Sequence, residues 1–105
     1  MNQYDIILVN LDPAMGGKIQ KPRRRLIISP KDINHNLNTL IIAPMTTTSK
    51  EYPTRVKVRH QGKDAWIAID QIHTVDQIRA IKSLGKLNNS EISIVKSLVN
   101  ETFVG

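Results

Sequence analysis

The 105-residue chain contains no cysteine, only four aromatic residues and no long apolar run. The absence of cysteine excludes a disulfide scaffold, a thiolate metal site and a thiol nucleophile. So few aromatics argue against RNA recognition by a sheet of stacked aromatic side chains. The N-terminus also lacks the basic and apolar regions of a secretory signal. Since no run approaches about 18 apolar residues, we expect a cytoplasmic protein without a membrane helix, forming one domain over residues 1–105.

Positive charge is concentrated in the first three fifths of the chain. The net charge is +6, and residues 1–63 hold 11 of the 15 basic residues but only four of the nine acidic ones. The densest segment is 18–25, which contains two lysines and three arginines. Such a cluster favours a polyanionic partner, either RNA, DNA or an acidic protein segment. A solvated surface that maintains solubility is the alternative, and charge alone leaves both open.

Short β-branched runs predict a chain of strands followed by a helix. We expect strands at 6–9, 26–29, 39–43, 55–59 and 64–70, with prolines ending the second and third. Gly16 and Gly17 lie in a segment without apolar periodicity, which indicates a mobile loop over 14–22. Weak helical spacing over 72–83 predicts a helix there. The C-terminal helix is predicted to begin after Asn88, because Glu91 completes a capping box.

Strands first and a covering helix last favour a mainly β (α+β) fold, a small antiparallel barrel. Arg55, Lys57 and Arg59 alternate with two valines, which predicts a half-buried strand with a basic outer face. That face is either solvated or widens a nucleic-acid track. Trp66, on the next predicted strand, is interpreted as a packing or dimer-contact residue rather than a base-stacking one.

The residue types that remain suit a phosphodiester rather than a metal or a bound cofactor. The three histidines are isolated, and no phosphate-binding glycine loop or nucleophile motif occurs. Guanidinium groups match phosphate geometry and stay charged, and a threonine hydroxyl can donate to a phosphate oxygen. In RNA the 2′-hydroxyl is the nucleophile, so a small protein needs only to orient the chain and neutralise its charge.

Four segments of the chain, at 5–13, 26–30, 42–47 and 70–76, resemble the MazF/PemK (Kid) toxin family in order and spacing. The resemblance implies an SH3-like barrel of the CcdB/MazF type with a C-terminal helix, acting as a homodimer. It also implies a metal-independent, sequence-specific endoribonuclease that cleaves single-stranded mRNA and leaves a 2′,3′-cyclic phosphate. The implied partner is an antitoxin whose acidic, extended segment blocks the RNA groove. The toxin–antitoxin complex is expected to bind DNA.

The resemblance carries three catalytic candidates onto this chain. Arg23 and Thr46 match the family's phosphate site, and Asp70 matches an aspartate of the Kid branch. Structural alternatives for Asp70 are a pair with Arg25 or capping of the turn before His73. The candidate RNA-binding residues are Lys18, Lys21, Arg24, Gly16, Gly17 and Thr47.

This chain departs from the family at several of these positions. Lys18 stands where a glutamate is expected, and Arg24 replaces a proline. Ala68 replaces a second arginine of the Kid branch, and Gly17 replaces a histidine. Lys18 in place of the glutamate keeps open an alternative, a catalytically weakened MazF-like protein that binds RNA or antitoxin without efficient cleavage. A gyrase poison of the CcdB type is disfavoured because the C-terminus lacks that branch's tryptophan.

Overall fold

The computed structural model describes residues 1–10, 21–48 and 52–105. Seven strands and two helices are distributed along these segments. The strands are β1 (Asp5–Val9), β2 (Arg23–Ile27), β3 (Thr39–Thr46), β4 (Arg55–His60), β5 (Lys63–Ala68), β6 (His73–Asp76) and β7 (Ala80–Lys86). The helices are α1 (Lys31–Asn36) and α2 (Asn89–Phe103), and 3-10 turns occupy Ile69–Gln71 and Gln77–Arg79. Within the described residues, no helix is long and apolar enough to cross a membrane.

The strands form a curled antiparallel sheet, and α2, the last element of the chain, packs against it. The hydrogen-bonded order is β4-β5-β3-β2-β1-β7, and β6 pairs with β3 as a further neighbour. The two ends of this path approach each other where His60 Nε2 of β4 lies 3.3 Å from the Leu84 carbonyl oxygen of β7. The predicted mainly β class, an antiparallel barrel type with a C-terminal helix, is confirmed, and the curled sheet forms a half-barrel.

Apolar side chains pack on both faces of the sheet. Ile6 and Leu26 belong to an inner cluster that includes Val95 of α2. Their chain neighbours Ile7 and Ile27 belong to a second, smaller cluster. Because successive residues of a strand point to opposite faces, this division defines an inner face against the helix and an outer face.

The start of α2 is held by a capping box, as predicted. The Asn88 side chain accepts a hydrogen bond from the Glu91 amide at 2.8 Å, and Glu91 Oε1 accepts one from the Asn88 amide at 3.0 Å. The other carboxylate oxygen of Glu91 accepts from the Arg59 amide of β4 at 3.1 Å. One carboxylate therefore caps the helix and also fixes its first turn against the β4 strand.

The predicted helix over 72–83 is wrong. The segment forms β6 and β7, which pair with β3 and β1. The apolar residues whose spacing predicted this helix are not buried on one side, since Ile78 is 91% exposed and Ile81 is 47% exposed. The Gln77 side chain lies between the two strands and donates to the carbonyl oxygens of Leu37 and Thr39, at 3.0 and 3.3 Å. Strand pairing therefore outweighs a weak local period.

Several strand boundaries also differ from the predicted ones, and the strand predicted at 64–70 ends at Ala68, which places Asp70 in a 3-10 turn. Strand β3 continues through Pro44 to Thr46. On one side of β3 the partner changes along the strand. β6 pairs with β3 up to Ile42, and β5 pairs with it from Met45 onwards. A residue without an N–H is tolerated at this break in the ladder. Strand β2 begins at Arg23 rather than Leu26, because its arginines pair with β1 on the sheet surface.

We expect Glu91→Ala to lower the free energy of unfolding by about 1–2 kcal/mol, because it removes the carboxylate's half of the capping box and the bond to β4 together. Urea unfolding followed by circular dichroism measures the change. The matched control is Glu101→Ala near the other end of α2, which we expect to alter stability by less than about 0.5 kcal/mol. Equal losses from the two substitutions would show that the cap contributes nothing specific.

Candidate phosphate-binding site

A cationic cleft of about 340 Å³ opens where β2 begins and β3 ends. Its lining contains three basic side chains, three hydroxyl side chains and three apolar residues. These are Arg23, Arg24 and Lys63, then Thr46, Thr47 and Thr48, and finally Pro22, Met45 and Ala65. None of the described residues that line the cleft is acidic. The arrangement suits an anion that carries hydrogen-bond acceptors, such as a phosphate.

Strand register brings Arg23 and Thr46 together. The β2–β3 ladder ends with Arg25 opposite Pro44, and Arg23 and Thr46 lie two residues beyond this pair on their strands. Residues opposite each other in neighbouring strands share a face of the sheet. Both side chains therefore lie on the outer face, with Arg23 exposed and Thr46 half-buried.

The Thr46 hydroxyl is oriented by the chain that follows it. Thr46 Oγ1 accepts a hydrogen bond from the Thr48 amide at 3.1 Å. A hydroxyl has one proton to donate in addition to its acceptor sites. The bond uses an acceptor site, so the hydroxyl proton remains available to a phosphate oxygen in the cleft.

The other predicted RNA-binding residues are placed in different ways. Arg24 lines the cleft and is held by the hairpin turn, because its Nη2 donates to Gln61 Oε1 at 2.8 Å. Thr47 lines the cleft and is exposed. Lys21 is also exposed and directly precedes Pro22, the first of the lining residues in the chain. Predictions for Lys18, Gly16 and Gly17, and for most of the loop that contains them, fall outside the described residues.

Arg25 lies on the same face as Arg23 and is half-buried. Burial lowers the pKa of its guanidinium, and the nearby positive charge of Arg23 lowers that pKa further. Its Nη1 donates to the Arg24 carbonyl oxygen at 2.8 Å, but its buried Nε finds no hydrogen-bond partner among the described residues. Two like charges with incomplete hydrogen bonding are poorly balanced until an anion approaches.

Asp70 does not line the cleft. It lies in the 3-10 turn after β5, and its Oδ1 is 3.9 Å from Arg55 Nε of β4. That separation gives an ion pair but no hydrogen bond, and the Arg55 Nε atom is buried without a hydrogen-bond partner in the described part of the chain. Asp70 thus pairs with Arg55, not with Arg25 as one structural alternative predicted. Arg55 stands directly opposite Ala68, the position at which the Kid branch has an arginine.

Sequence reasoning missed Lys63 and the pairing of Lys57 with Trp66. A two-residue turn at Gln61–Gly62, both with positive φ, joins β4 to β5 and places Lys57 opposite Trp66. Positive φ at both positions is the signature of the hairpin turn that matches sheet twist. The β4–β5 register could therefore be predicted from the turn. The pairing of β5 with β3, which places Trp66 opposite Thr46, could not be predicted from it.

Fold and cleft together define a small antiparallel half-barrel that presents cations and hydroxyls at one end of its sheet. The model of the PemK-like, MazF-like toxins of type II toxin-antitoxin systems matches residues 2–103. The chain belongs to this family.

Individual relatives agree with this assignment. The endoribonuclease toxin MazF of Escherichia coli strain K12 is 28% identical over 97 residues, which cover 91% of this chain and 87% of that protein. A crystal structure of MazE-MazF from Deinococcus radiodurans superposes with a TM-score of 0.85 at 20% identity, covering 99% and 96% of the two chains. An endoribonuclease in complex with its cognate antitoxin, from Mycobacterial species, gives 0.82 at 15% identity, covering 99% and 95%. The two structural matches show that the fold is shared.

We expect Arg25→Met to raise the free energy of unfolding by about 0.5–1 kcal/mol, because it removes a half-buried charge that is repelled by Arg23. The same substitution should weaken the binding of single-stranded RNA. Chemical denaturation and a binding titration measure the two effects. Arg59→Met is the control, since this exposed arginine is paired with Asp64 at 3.4 Å. A loss of stability in Arg25→Met would contradict this interpretation of the site.

Proposed function

We propose that this protein is the toxin of a type II toxin-antitoxin system and a sequence-specific, metal-independent endoribonuclease for single-stranded mRNA. The observation that carries the proposal is that Arg23 and Thr46 line one cleft, which has no described acidic lining residue. The family to which the chain belongs, and the activity of its Escherichia coli relative, support the same reaction.

In the proposed reaction the RNA supplies its own nucleophile. The 2′-oxygen attacks the adjacent phosphorus, and the bond from phosphorus to the 5′-oxygen breaks. The proton lost from the 2′-hydroxyl is balanced by one gained at the 5′-oxygen, so the products are a 2′,3′-cyclic phosphate and a 5′-hydroxyl. Arg23 holds the non-bridging oxygens and neutralises their growing charge, while Thr46 donates a hydrogen bond to one of them.

Asp70 takes a supporting part in this proposal. It lies outside the cleft lining and its carboxylate faces Arg55, so it orients that arginine rather than contacting the scissile phosphate. Lys21, Arg24 and Thr47 bind the RNA on either side of the reacting group. Lys18, Gly16 and Gly17, in the segment that precedes β2, are proposed to contact the RNA as well.

The proposal includes the family's partners. An antitoxin with an acidic, extended segment fits the same cationic cleft and would exclude RNA from it. Residues 1–105 act as one toxin domain, and a homodimer is supported by exposed large apolar residues such as Ile94, Phe103 and Val104, of which Val104 is 76% exposed. The toxin acts in the cytoplasm, where mRNA is translated, and its complex with the antitoxin binds DNA.

We expect Arg23→Ala to reduce cleavage of a defined single-stranded RNA by at least about 100-fold, with the fold retained. Thr46→Val should reduce it by about 10- to 100-fold, because the isostere lacks only the hydroxyl. Product ends are mapped in the presence of a chelator and tested for the cyclic phosphate. Matched controls are Lys96→Ala on α2 and Thr74→Val on β6, both exposed. Cleavage that appears only with added divalent metal, or that survives Arg23→Ala, would overturn the mechanism.

Salt dependence reports the number of phosphate contacts. For single strands, the logarithm of the binding constant falls with the logarithm of salt concentration by about 0.7 per contact. We therefore expect Arg23→Ala and Lys21→Ala each to reduce the slope by about this amount. Fluorescence polarisation of a labelled, uncleavable RNA between 50 and 300 mM salt (about the range in which counterion release dominates) measures it. An unchanged slope in either variant would remove that residue from the RNA interface.

The alternative function, a binding protein with weakened catalysis, rests on Lys18 alone. A charged lysine cannot accept a proton, which the glutamate expected there can do. If this alternative holds, the parent protein binds RNA without cutting it, and Lys18→Glu creates cleavage. Efficient cleavage by the parent protein would refute it.

A further inference from the structure

The outer face of the β4–β5 hairpin carries a lysine and a tryptophan in contact, next to the cleft. Lys57 Nζ lies 5.8 Å from the centroid of the Trp66 ring. Trp66 stands opposite Lys57 in β4 and opposite Thr46 in β3. Because paired residues share a face, Lys57, Trp66 and Thr46 form one row across three strands, and Arg23 lines the same cleft as Thr46. The backbones of Trp66 and Thr46 are therefore one strand spacing, about 5 Å, apart.

We propose that Trp66 and Lys57 form a nucleotide subsite beside the scissile phosphate. The base of the flanking nucleotide stacks on the indole ring, and Lys57 contacts its phosphate. The subsite rests on the proposed ribonuclease function and extends it, since it gives the RNA a path from the cleft across the β4–β5 hairpin.

The surroundings of the pair favour a nucleic acid over a solvated strand surface. Trp66 is only partly buried, so part of its surface is accessible. Asp64 is shared between Lys57 and Arg59, at 3.6 and 3.4 Å, so one carboxylate faces two cations. The Lys57 side chain is 61% exposed, and an exposed ion pair of this kind is weak enough to exchange for a phosphate.

A ring that already carries a cation suits this task. An aromatic face that attracts an ammonium group also stacks a base, and every base has such a face. One tryptophan is not the aromatic-rich sheet that the composition argues against, and it serves a single nucleotide. The sequence favoured a packing role for Trp66, but a packing residue does not require a lysine over its ring or a place beside the cleft.

The unaltered protein provides the most direct experiment, because Trp66 is the only tryptophan in the chain. An end-labelled single-stranded RNA with one 2′-deoxynucleotide at the mapped cleavage position is titrated, with polarisation and tryptophan fluorescence recorded together. We expect quenching that saturates at the same concentration as binding. An abasic residue at one flanking position should abolish the quenching and weaken binding by about 5- to 150-fold, the range supplied by base stacking.

Each outcome has a distinct meaning. Binding by polarisation with unchanged tryptophan fluorescence, and with no effect of either flanking abasic residue, overturns the subsite but leaves the ribonuclease proposal intact. A protein that binds no RNA in the polarisation assay overturns both.

Substitutions test the two side chains separately. Trp66→Leu should reproduce the loss of affinity seen with the abasic RNA, whereas Trp66→Phe should retain most of the binding because it keeps an aromatic face. Lys57→Gln should lower the salt slope by about 0.7, and Lys96→Gln on the exposed side of α2 should not. Thermal unfolding confirms that each variant is folded. If Trp66→Leu binds RNA as tightly as the parent protein, the proposal is contradicted, even if Lys57→Gln binds RNA more weakly.

Discussion

The register of β3 is the constraint on which the site depends. This strand pairs with β2 on one side and with β5 on the other, so Thr46 stands opposite Trp66 and lines the cleft together with Arg23. Met45, its neighbour in the chain, is buried in the inner core. A slip of one residue would turn Thr46 toward the core and move Met45 to the outer face that Thr46 now occupies. The hydrophobic packing that stabilises the half-barrel therefore also determines which groups face the proposed substrate.

Two arginines on the outer face, outside the lining of the cleft, have incompletely balanced charges. Arg25 and Arg55 each have a buried Nε without a hydrogen-bond partner in the described residues, and Arg25 lies close enough to Arg23 for mutual repulsion. Asp70 balances the charge of only one of these arginines, because its carboxylate lies 3.9 Å from Arg55. Local rules of charge pairing are commonly broken at functional sites, where the ligand supplies the missing charge. A phosphodiester chain supplies one negative charge per nucleotide, and an acidic antitoxin segment supplies carboxylates.

Much of the fold could be predicted because local signals agree with the final structure. Glu91 caps α2 as its spacing indicates, and Gln61–Gly62 forms the hairpin turn. The segment after Asp70 could not be predicted, since its sparse apolar residues fit a helix as well as two strands that pair with distant partners. Arg23 and Thr46 were named from a family resemblance, and the structure brings them into one cleft. The Arg55–Asp70 pair and the Trp66–Thr46 neighbours depend on the order of strands in the sheet, which local sequence does not encode.

The central claim is that Arg23 and Thr46 hold the same phosphate. A double-mutant cycle tests it most directly, by measuring single-turnover cleavage of one defined RNA by the parent protein, Arg23→Ala, Thr46→Val and the double variant. If both side chains act on one phosphate, the double variant should be little slower than Arg23→Ala alone, because residues that act as a unit are not additive. Rate losses that simply multiply would show that the two residues act independently and would contradict the account.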